Sequence, residues 1–213
     1  MNWLAHLFLS QPNVENRLGN ILADVVKGSA RQQLNSGLQR GIRCHQFIDS
    51  FTDSHLIVQR SKQRIGANYR RFAGVLVDVF YDHFLASNWC EYSDVALEEF
   101  IAEIYESFLA YRDLPTQTSE FLAQMARENW LGAYRNVKGV EKTLERISKR
   151  LAMRHHHRTF HLHLAINELA THYNCFEQDF DEFFPELIAS VRTREFRREN
   201  IDNEEDNKRS PIF

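Results

Sequence analysis

One segment of the chain, residues 72–86, is apolar at nearly every position and reads FAGVLVDVFYDHFLA. A helix that is apolar on all sides must be surrounded by other elements, so this segment predicts a central helix. It nevertheless contains Asp78, Asp82 and His83. Asp78 and Asp82 are four residues apart, which places both carboxylates on one face of the helix.

Two like charges in an apolar setting are costly unless a cation or a hydrogen-bond donor neutralises them. A divalent metal does so directly, and the adjacent His83 offers a second type of ligand. One alternative is a helix-capping role, which the mid-helix position of both aspartates disfavours. The other is an ion pair with a buried arginine. The segment therefore predicts a polar site at the centre of the fold.

The rest of the chain also has helical periodicity, and no segment shows convincing strand alternation. The 213 residues include only 8 Gly and 4 Pro, about half of what average composition would supply. So few turn-forming residues favour long helices over many short strands. We predict a single all-α domain over residues 1–198. Residues 199–213 are polar and charge-rich, and we expect them to be disordered.

Several classes of protein are disfavoured by the sequence. No run approaches the roughly 18 apolar residues of a membrane span, and the start MNWLAHLFLS lacks the basic region of a signal peptide. The three cysteines are odd in number and widely spaced, which suits neither a disulfide framework nor a thiolate zinc site. We therefore expect a cytoplasmic protein, with neither a membrane nor a nucleic acid as its partner.

Charge is distributed unevenly along the chain. Residues 25–77 contain nine basic and two acidic residues, so this segment carries +7 while the whole chain carries −3. A basic half beside an acidic half indicates an acidic or phosphorylated partner. The alternative is an ordinary solvated face.

A second group of polar residues lies in GIRCHQFIDSFTDSH, residues 41–55. His45 and Asp49 are four residues apart and share a face if the segment is helical. Imidazole nitrogen and carboxylate oxygen are the ligands expected for Mn²⁺, Mg²⁺, Fe²⁺ or Zn²⁺. For Asp49 a salt bridge to a nearby arginine is the alternative, and Asp53 is predicted to cap the following helix.

Three further features are weaker when taken alone. His6 lies in an apolar N-terminal helix, and Asp24 lies in LGNILADVVKG on an otherwise apolar segment. Taken alone, each is more consistent with a packed structural residue than with a site. Residues 155–163, HHHRTFHLH, form a histidine tract that can bind metal adventitiously. It has no neighbouring carboxylate before Glu168, so we do not place it in the site.

Four stretches of the first half occur in an order and spacing that resembles the acyl carrier protein phosphodiesterase (acyl carrier protein hydrolase) family. They are MNWLAHLFLS, LGNILADVVKG, GIRCHQFIDSFTD and RRFAGVLVDVFYDHFLASNW. The second half is similar mainly in its helical pattern. The family is a divergent relative of the HD-type metal-dependent phosphohydrolases, so the resemblance implies an HD-phosphohydrolase-like helical domain. Neither a nucleotide-binding loop nor a nucleophile-elbow motif is present.

The resemblance also implies an activity, namely hydrolysis of holo-acyl carrier protein to the apo-protein and 4′-phosphopantetheine. Manganese is the metal associated with that activity, with Mg²⁺, Fe²⁺ and Zn²⁺ as alternatives. The residues that match the family pattern are His6, Asp24, His45, Asp49, Asp53, Asp78, Asp82 and His83.

Roles within this set are predicted as follows. The expected metal ligands are His6, Asp24, His45, Asp78 and Asp82. Asp49 is a further ligand or orients His45, and His83 is a ligand or the acid that protonates the leaving oxygen. Asp78 and Asp82 would serve catalysis together with these two residues.

The basic segment is the predicted docking surface for the carrier, because carrier proteins are acidic. The docking residues predicted within it are Arg60, Lys62, Arg64, Arg70 and Arg71. Two other functions stay open. One is an HD-like metal phosphohydrolase acting on a small phosphoester or nucleotide. The other is a non-catalytic helical module that binds the carrier or its prosthetic group.

Overall fold

All regular secondary structure is helical in the computed structural model, which describes residues 1–26, 28–155 and 158–209, with side chains through residue 194. No strand occurs within these ranges. The prediction of a single all-α domain is therefore confirmed. None of the described helices is long and apolar enough to cross a membrane.

Ten α-helices follow one another in the described part of the chain, joined by short loops and 3₁₀ turns. They are α1 (Trp3–Leu9), α2 (Val14–Val25), α3 (Ser36–Ser54), α4 (Leu56–Arg64), α5 (Ala73–Ser87), α6 (Leu97–Ala110), α7 (Thr116–Arg127), α8 (Val137–Arg154), α9 (Ile166–Thr171) and α10 (Tyr173–Arg209). Asparagine begins several of them. The side chains of Asn2, Asn13, Asn35 and Asn136 each accept a hydrogen bond from a backbone N–H at a helix start.

Helix α5 is the central helix, as its sequence predicts. Every residue from Val79 to Ala86 is buried. The helix packs against α1, α4, α8 and α10. Its two ends approach the surface: Val75 is exposed and Asp78 is partly exposed near the beginning, and Ser87 is exposed at the end. Asp82 and His83 in the second half of α5 are consequently closed off from bulk water.

Helices α2 and α3 lie against each other along their length and carry most of the site. Two glycines allow this close approach. A Cβ atom on Gly19 would overlap the backbone of Leu38, and one on Gly41 would overlap the carbonyl of Asn16. The absence of both side chains lets the polar face of α2 meet that of α3.

Two helix boundaries differ from those expected from the sequence. Asp53 lies inside α3, and the residue that caps α4 is His55, whose side chain accepts from the N–H of Ile57. The predicted cap at Asp53 is therefore wrong, because α3 continues one turn further than expected. Helix α10 extends to Arg209 and includes Pro185. Residues 210–213 lie outside the described residues, and the domain boundary at residue 198 stays a prediction.

Candidate metal centre

Three side chains from two helices meet where α1 packs against α3. One ligand atom from each of His6, His45 and Asp49 lies within 4.8 Å of the others. One Asp49 oxygen is 3.1 Å from His6 Nε2, and the other is 3.0 Å from His45 Nε2. The two imidazole rings stack with their centroids 4.2 Å apart. This cluster can hold a divalent metal ion, since two nitrogens and a carboxylate are suitable ligands.

Asn20 of α2 determines which nitrogen of His45 faces the cluster. Its amide nitrogen donates to the carbonyl of His6 at 3.1 Å and to the hydroxyl of Ser10 at 2.8 Å. The amide oxygen is left facing His45 Nδ1, 3.1 Å away. An amide oxygen only accepts, so Nδ1 carries the hydrogen, and Nε2 directs either a second proton or a lone pair at Asp49. A ligand that binds through Nε2 needs this tautomer.

The protonation states of Asp49 and His6 favour binding of a cation. Burial alone would raise the pKa of Asp49, but hydrogen bonds from His45 and His6 hold that pKa well below its usual value. Asp49 is therefore ionised. Burial lowers the pKa of His6 and favours its neutral imidazole. An ionised carboxylate beside a neutral imidazole is the state from which a metal ion can be bound.

The cluster opens into a cavity of about 190 Å³. Asp24 and Asp78 both contribute to its wall, together with Asp53. One Asp24 oxygen lies 3.8 Å from His45 Nε2, and the other accepts from the indole N–H of Trp3 at 3.1 Å. Asp24 is therefore placed to become a further ligand after a small side-chain movement.

Asp78 accepts a hydrogen bond from the α-ammonium group of Met1 at 2.9 Å. Burial by itself favours the neutral amine. Asp78, with smaller contributions from Asp49 and Asp82, outweighs that effect and raises the pKa of the amine. The cavity wall therefore holds a fixed positive charge beside the Asp78 carboxylate.

Asp82 has a different role from the one its spacing predicts. It is completely buried, and its carboxylate accepts from the backbone N–H groups of Asn2 at 3.1 Å, Leu4 at 2.7 Å and Ala5 at 3.4 Å. Burial raises the pKa of Asp82 to about 7 despite these hydrogen bonds. The residue thus caps α1 from the middle of α5. The expectation that a mid-helix position disfavours capping is wrong, because the capped helix is a different one.

His83 points away from the cluster. Its Nδ1 lies 2.7 Å from the carbonyl oxygen of Tyr134, and its Nε2 lies 3.1 Å from the hydroxyl of Tyr173. Burial lowers its pKa. Adjacent helical residues point about 100° apart, so Asp82 faces α1 while His83 faces α10. The structure does not bring His83 to the His6–His45–Asp49 cluster.

The predicted docking residues fall into two groups. Arg60 and Arg64 both bind the buried carboxylate of Asp179, with nitrogen–oxygen distances of 2.6 and 3.0 Å. Lys62 pairs with Asp53 at 2.8 Å. Arg70 and Arg71 are exposed just before α5. Internal ion pairs therefore engage the first three residues and leave the last two facing solvent.

Two site residues were not predicted from the sequence, Asn20 and Arg150. Asn20 lies one turn before Asp24, which is a signal that helical spacing could have supplied. Arg150 of α8 lines the cavity and lies about one turn after Ile147, another residue of the cavity wall. No feature of the sequence near Arg150 connects it to the first half of the chain. Of the histidine tract, residues 156 and 157 lie outside the described residues.

The chain matches a known protein family over most of its length. The family model described as acyl carrier protein phosphodiesterase matches residues 1–187. A relative from Photorhabdus laumondii named acyl carrier protein phosphodiesterase is 30% identical over 200 residues, covering 92% of this chain and 98% of the relative. A relative of the same name from Yersinia enterocolitica is 29% identical over 197 residues, covering 92% of this chain and all of the relative.

No solved structure matches the chain, so the likeness to HD-type phosphohydrolases stays a prediction. The resemblance seen in the four sequence stretches is confirmed by a family match that extends well into α10. The chain therefore belongs to the acyl carrier protein phosphodiesterase family.

Proposed function

We propose that this chain hydrolyses the phosphodiester that joins 4′-phosphopantetheine to a serine of holo-acyl carrier protein. The observation that carries the proposal is the His6–His45–Asp49 cluster, which opens into a cavity wide enough for a phosphodiester. The name shared by the relatives supports the choice of substrate. Water would add to phosphorus, the bond from phosphorus to the serine oxygen would break, and that oxygen would take up a proton.

The metal in this proposal is a divalent ion, most simply Mn²⁺, bound by His6, His45 and Asp49, with Asp24 as a fourth ligand. Two imidazoles and carboxylates also suit Fe²⁺ and Zn²⁺, whereas Mg²⁺ prefers oxygen ligands. When bound, such an ion neutralises phosphate charge and lowers the pKa of a water molecule. Asn20 keeps His45 in the tautomer that this role requires.

The remaining residues of the cavity wall bind and orient the substrate. Arg150 and the Met1 ammonium group are positive, and we propose that they bind the non-bridging oxygens of the diester. Asp78 orients the ammonium group through their ion pair. His83 has no place in this scheme, since its nitrogens face Tyr134 and Tyr173.

Docking of the acidic carrier is assigned to Arg70 and Arg71. They precede α5, and both Val75 and Asp78 of that helix line the cavity. A carrier bound by these two arginines would lie at the mouth of the site. Their exposure leaves their charges available to a partner.

The test is a mass measurement on the carrier. Metal-stripped protein is incubated with holo-acyl carrier protein with and without Mn²⁺, and the carrier is weighed by mass spectrometry. We expect loss of the phosphopantetheine mass only with metal. His45→Ala and Asp49→Ala should abolish the loss, whereas His161→Ala, an exposed residue of the histidine tract, should retain it.

Other results would redirect the proposal. Cleavage that survives both metal removal and His45→Ala would overturn the role of the cluster. If no common divalent ion supports cleavage, a small phosphoester becomes the favoured substrate instead of the carrier. Absence of both cleavage and metal binding would favour a non-catalytic module that binds the carrier.

A further inference from the structure

A second cavity adjoins the first and has no role in the chemistry described above. Its volume is about 410 Å³, which lies in the range of small-molecule sites, roughly 300–1,000 Å³. The two cavities share Asn2, Ile147 and Arg150 as wall residues. A ligand whose phosphate lies at the metal cluster could therefore extend past Arg150 into the second cavity.

The second cavity has an aromatic wall. The rings of Trp3 and Trp130 stack with centroids 5.6 Å apart and planes 12° from parallel. Phe121 meets both rings edge-on, at 5.7 and 5.6 Å. Met153, 71% exposed, extends the apolar surface to the mouth.

Two arginine side chains lie over the rings of this aromatic wall. The guanidinium of Arg146 lies 5.0 Å from the Trp130 ring centroid, and that of Arg150 lies 5.5 Å from the Trp3 ring centroid. Thr143, Gln124 and Glu128 add hydrogen-bonding groups. The cavity therefore combines aromatic side chains with charged and hydrogen-bonding groups, so it fits a slender ligand in which amides alternate with methylene groups.

We propose that this second cavity binds the pantetheine arm of the substrate, with Arg150 holding the phosphate at the junction of the two cavities. This inference rests on the proposed function and names the part of the substrate that the enzyme recognises. The geminal methyl groups and methylenes of the arm would pack on Trp3 and Trp130. Its amides and hydroxyl would meet the polar rim. A long hydrocarbon chain would offer no hydrogen bond to the polar groups of the wall, such as Gln124, Glu128 and Arg146, so we assign the cavity to the arm itself.

The test uses the three tryptophans as reporters. Trp3 and Trp130 line the cavity, whereas Trp89 packs against Phe8 and Phe100 elsewhere. In a nitrogen–proton correlation spectrum of the full chain, added pantetheine should shift the indole signals of Trp3 and Trp130 and leave that of Trp89 unchanged. No shift, or an equal shift of all three signals, would overturn the proposal.

The role of Arg150 is tested with the product. We expect 4′-phosphopantetheine to bind about tenfold more tightly than pantetheine, because a charge-assisted hydrogen bond is added at the phosphate. Arg150→Ala should remove most of that tenfold difference while pantetheine still shifts both indole signals. An undiminished difference in the variant would overturn the position assigned to the phosphate.

A surface variant tests the arm in the reaction itself. Met153→Glu should raise the KM for holo-carrier and weaken pantetheine binding about tenfold, because apolar contact at the mouth is lost. Its kcat should hold, since no group near the metal cluster changes. The matched control is Leu164→Glu, which is 51% exposed and lies outside both cavities. Equal effects of the two variants would overturn the proposal.

The two proposals fail in distinguishable ways. If the wild-type chain leaves holo-carrier intact, the proposed function fails, and the indole titration still decides whether the cavity binds the arm. If the carrier is cleaved while pantetheine shifts neither Trp3 nor Trp130, the function stands and the arm site is refuted.

Discussion

At the scale of single residues, hydrogen-bond partners decide what each polar group can do. Asp49 and Asp82 are both aspartates in α-helices that pack into the core. Asp49 lies within hydrogen-bond distance of two imidazole nitrogens and stays ionised, whereas Asp82 is fully buried among backbone N–H groups and has its pKa raised to about 7. The same type of side chain therefore belongs to the candidate metal cluster in one place and caps a helix in the other.

Asn20 offers a test of how the cluster is organised. Asn20→Ala should weaken Mn²⁺ binding about tenfold to a hundredfold, because His45 loses the partner that sets its tautomer. Titration calorimetry measures this affinity. Asn16→Ala is the matched control, since Asn16 is buried on the same helix one turn earlier and contacts Gln11 and Asn13 instead. An equal loss of affinity in both variants would contradict the orienting role.

The raised pKa of Asp82 makes a prediction about pH. Between 3.8, the ordinary value, and about 7, the folded chain keeps a proton that the unfolded chain releases. Since the unfolded state then binds fewer protons, this group's contribution to the free energy of unfolding falls as pH rises through that window.

Asp82→Asn removes this titration and weakens the cap of α1, which costs about 1 kcal/mol. The free energy of unfolding of the variant should therefore fall furthest below that of the wild type near pH 4. The difference should become smaller as the pH rises towards 7. Denaturant unfolding at several pH values measures the difference. A difference that does not change with pH would show that Asp82 does not titrate there.

At the scale of helices, the pairing of α2 with α3 assembles the site. Asn20 and Asp24 lie on α2, and His45 and Asp49 lie on α3. Each pair is spaced by four residues, so each helix presents one polar stripe. The two stripes meet only because Gly19 and Gly41 have no side chains at the crossing.

Gly41→Ala tests this dependence on close approach. The new Cβ would overlap the carbonyl of Asn16, which is backbone and cannot rotate away. We expect a loss of about 1–3 kcal/mol in the free energy of unfolding, together with weaker Mn²⁺ binding. Gly74→Ala is the control, because its Cβ would meet only the end of Lys62 at 3.7 Å. There the change should be neutral or stabilising by up to about 1 kcal/mol. Equal stability of the two variants would contradict the argument.

At the scale of the whole molecule, some of the basic residues form ion pairs within the fold and are not available to a partner. The basic segment carries +7 in the sequence. Arg60 and Arg64 use their charges to bind Asp179 of α10, which fastens α4 to the C-terminal helix. Fewer positive charges are therefore available to a partner than the sequence suggests, and we propose that the exposed Arg70 and Arg71 are the ones that bind the carrier.

Charge reversal tests the docking surface. The double variant Arg70→Glu and Arg71→Glu should raise the KM for holo-carrier at low salt by about tenfold or more, because electrostatic steering is lost. Its kcat should change little, since the cavity is untouched. The control is Arg112→Glu with Arg127→Glu, which makes the same change in net charge at exposed sites on the opposite half of the chain. If both double variants raise KM equally, net charge alone is responsible and the docking site is refuted.

The sequence by itself determined the helical class, the central position of α5, and the pairing of His45 with Asp49. These follow from local rules, because composition sets which elements form and a spacing of four residues sets which side chains share a helix face. The same rules supported Asp24 and His6 only as isolated candidates. Their likeness to a known family was needed to group them into one site.

Only the tertiary structure decided which residues pack against each helix face. It placed the start of α1 on Asp82, turned His83 towards Tyr173, and brought Arg150 of α8 to a cavity formed by the first half of the chain. The physical reason is that helix periodicity relates residues within one helix only. Which helix lies opposite is decided by long-range packing, and the partner found there determines whether a buried carboxylate becomes a cap or a ligand.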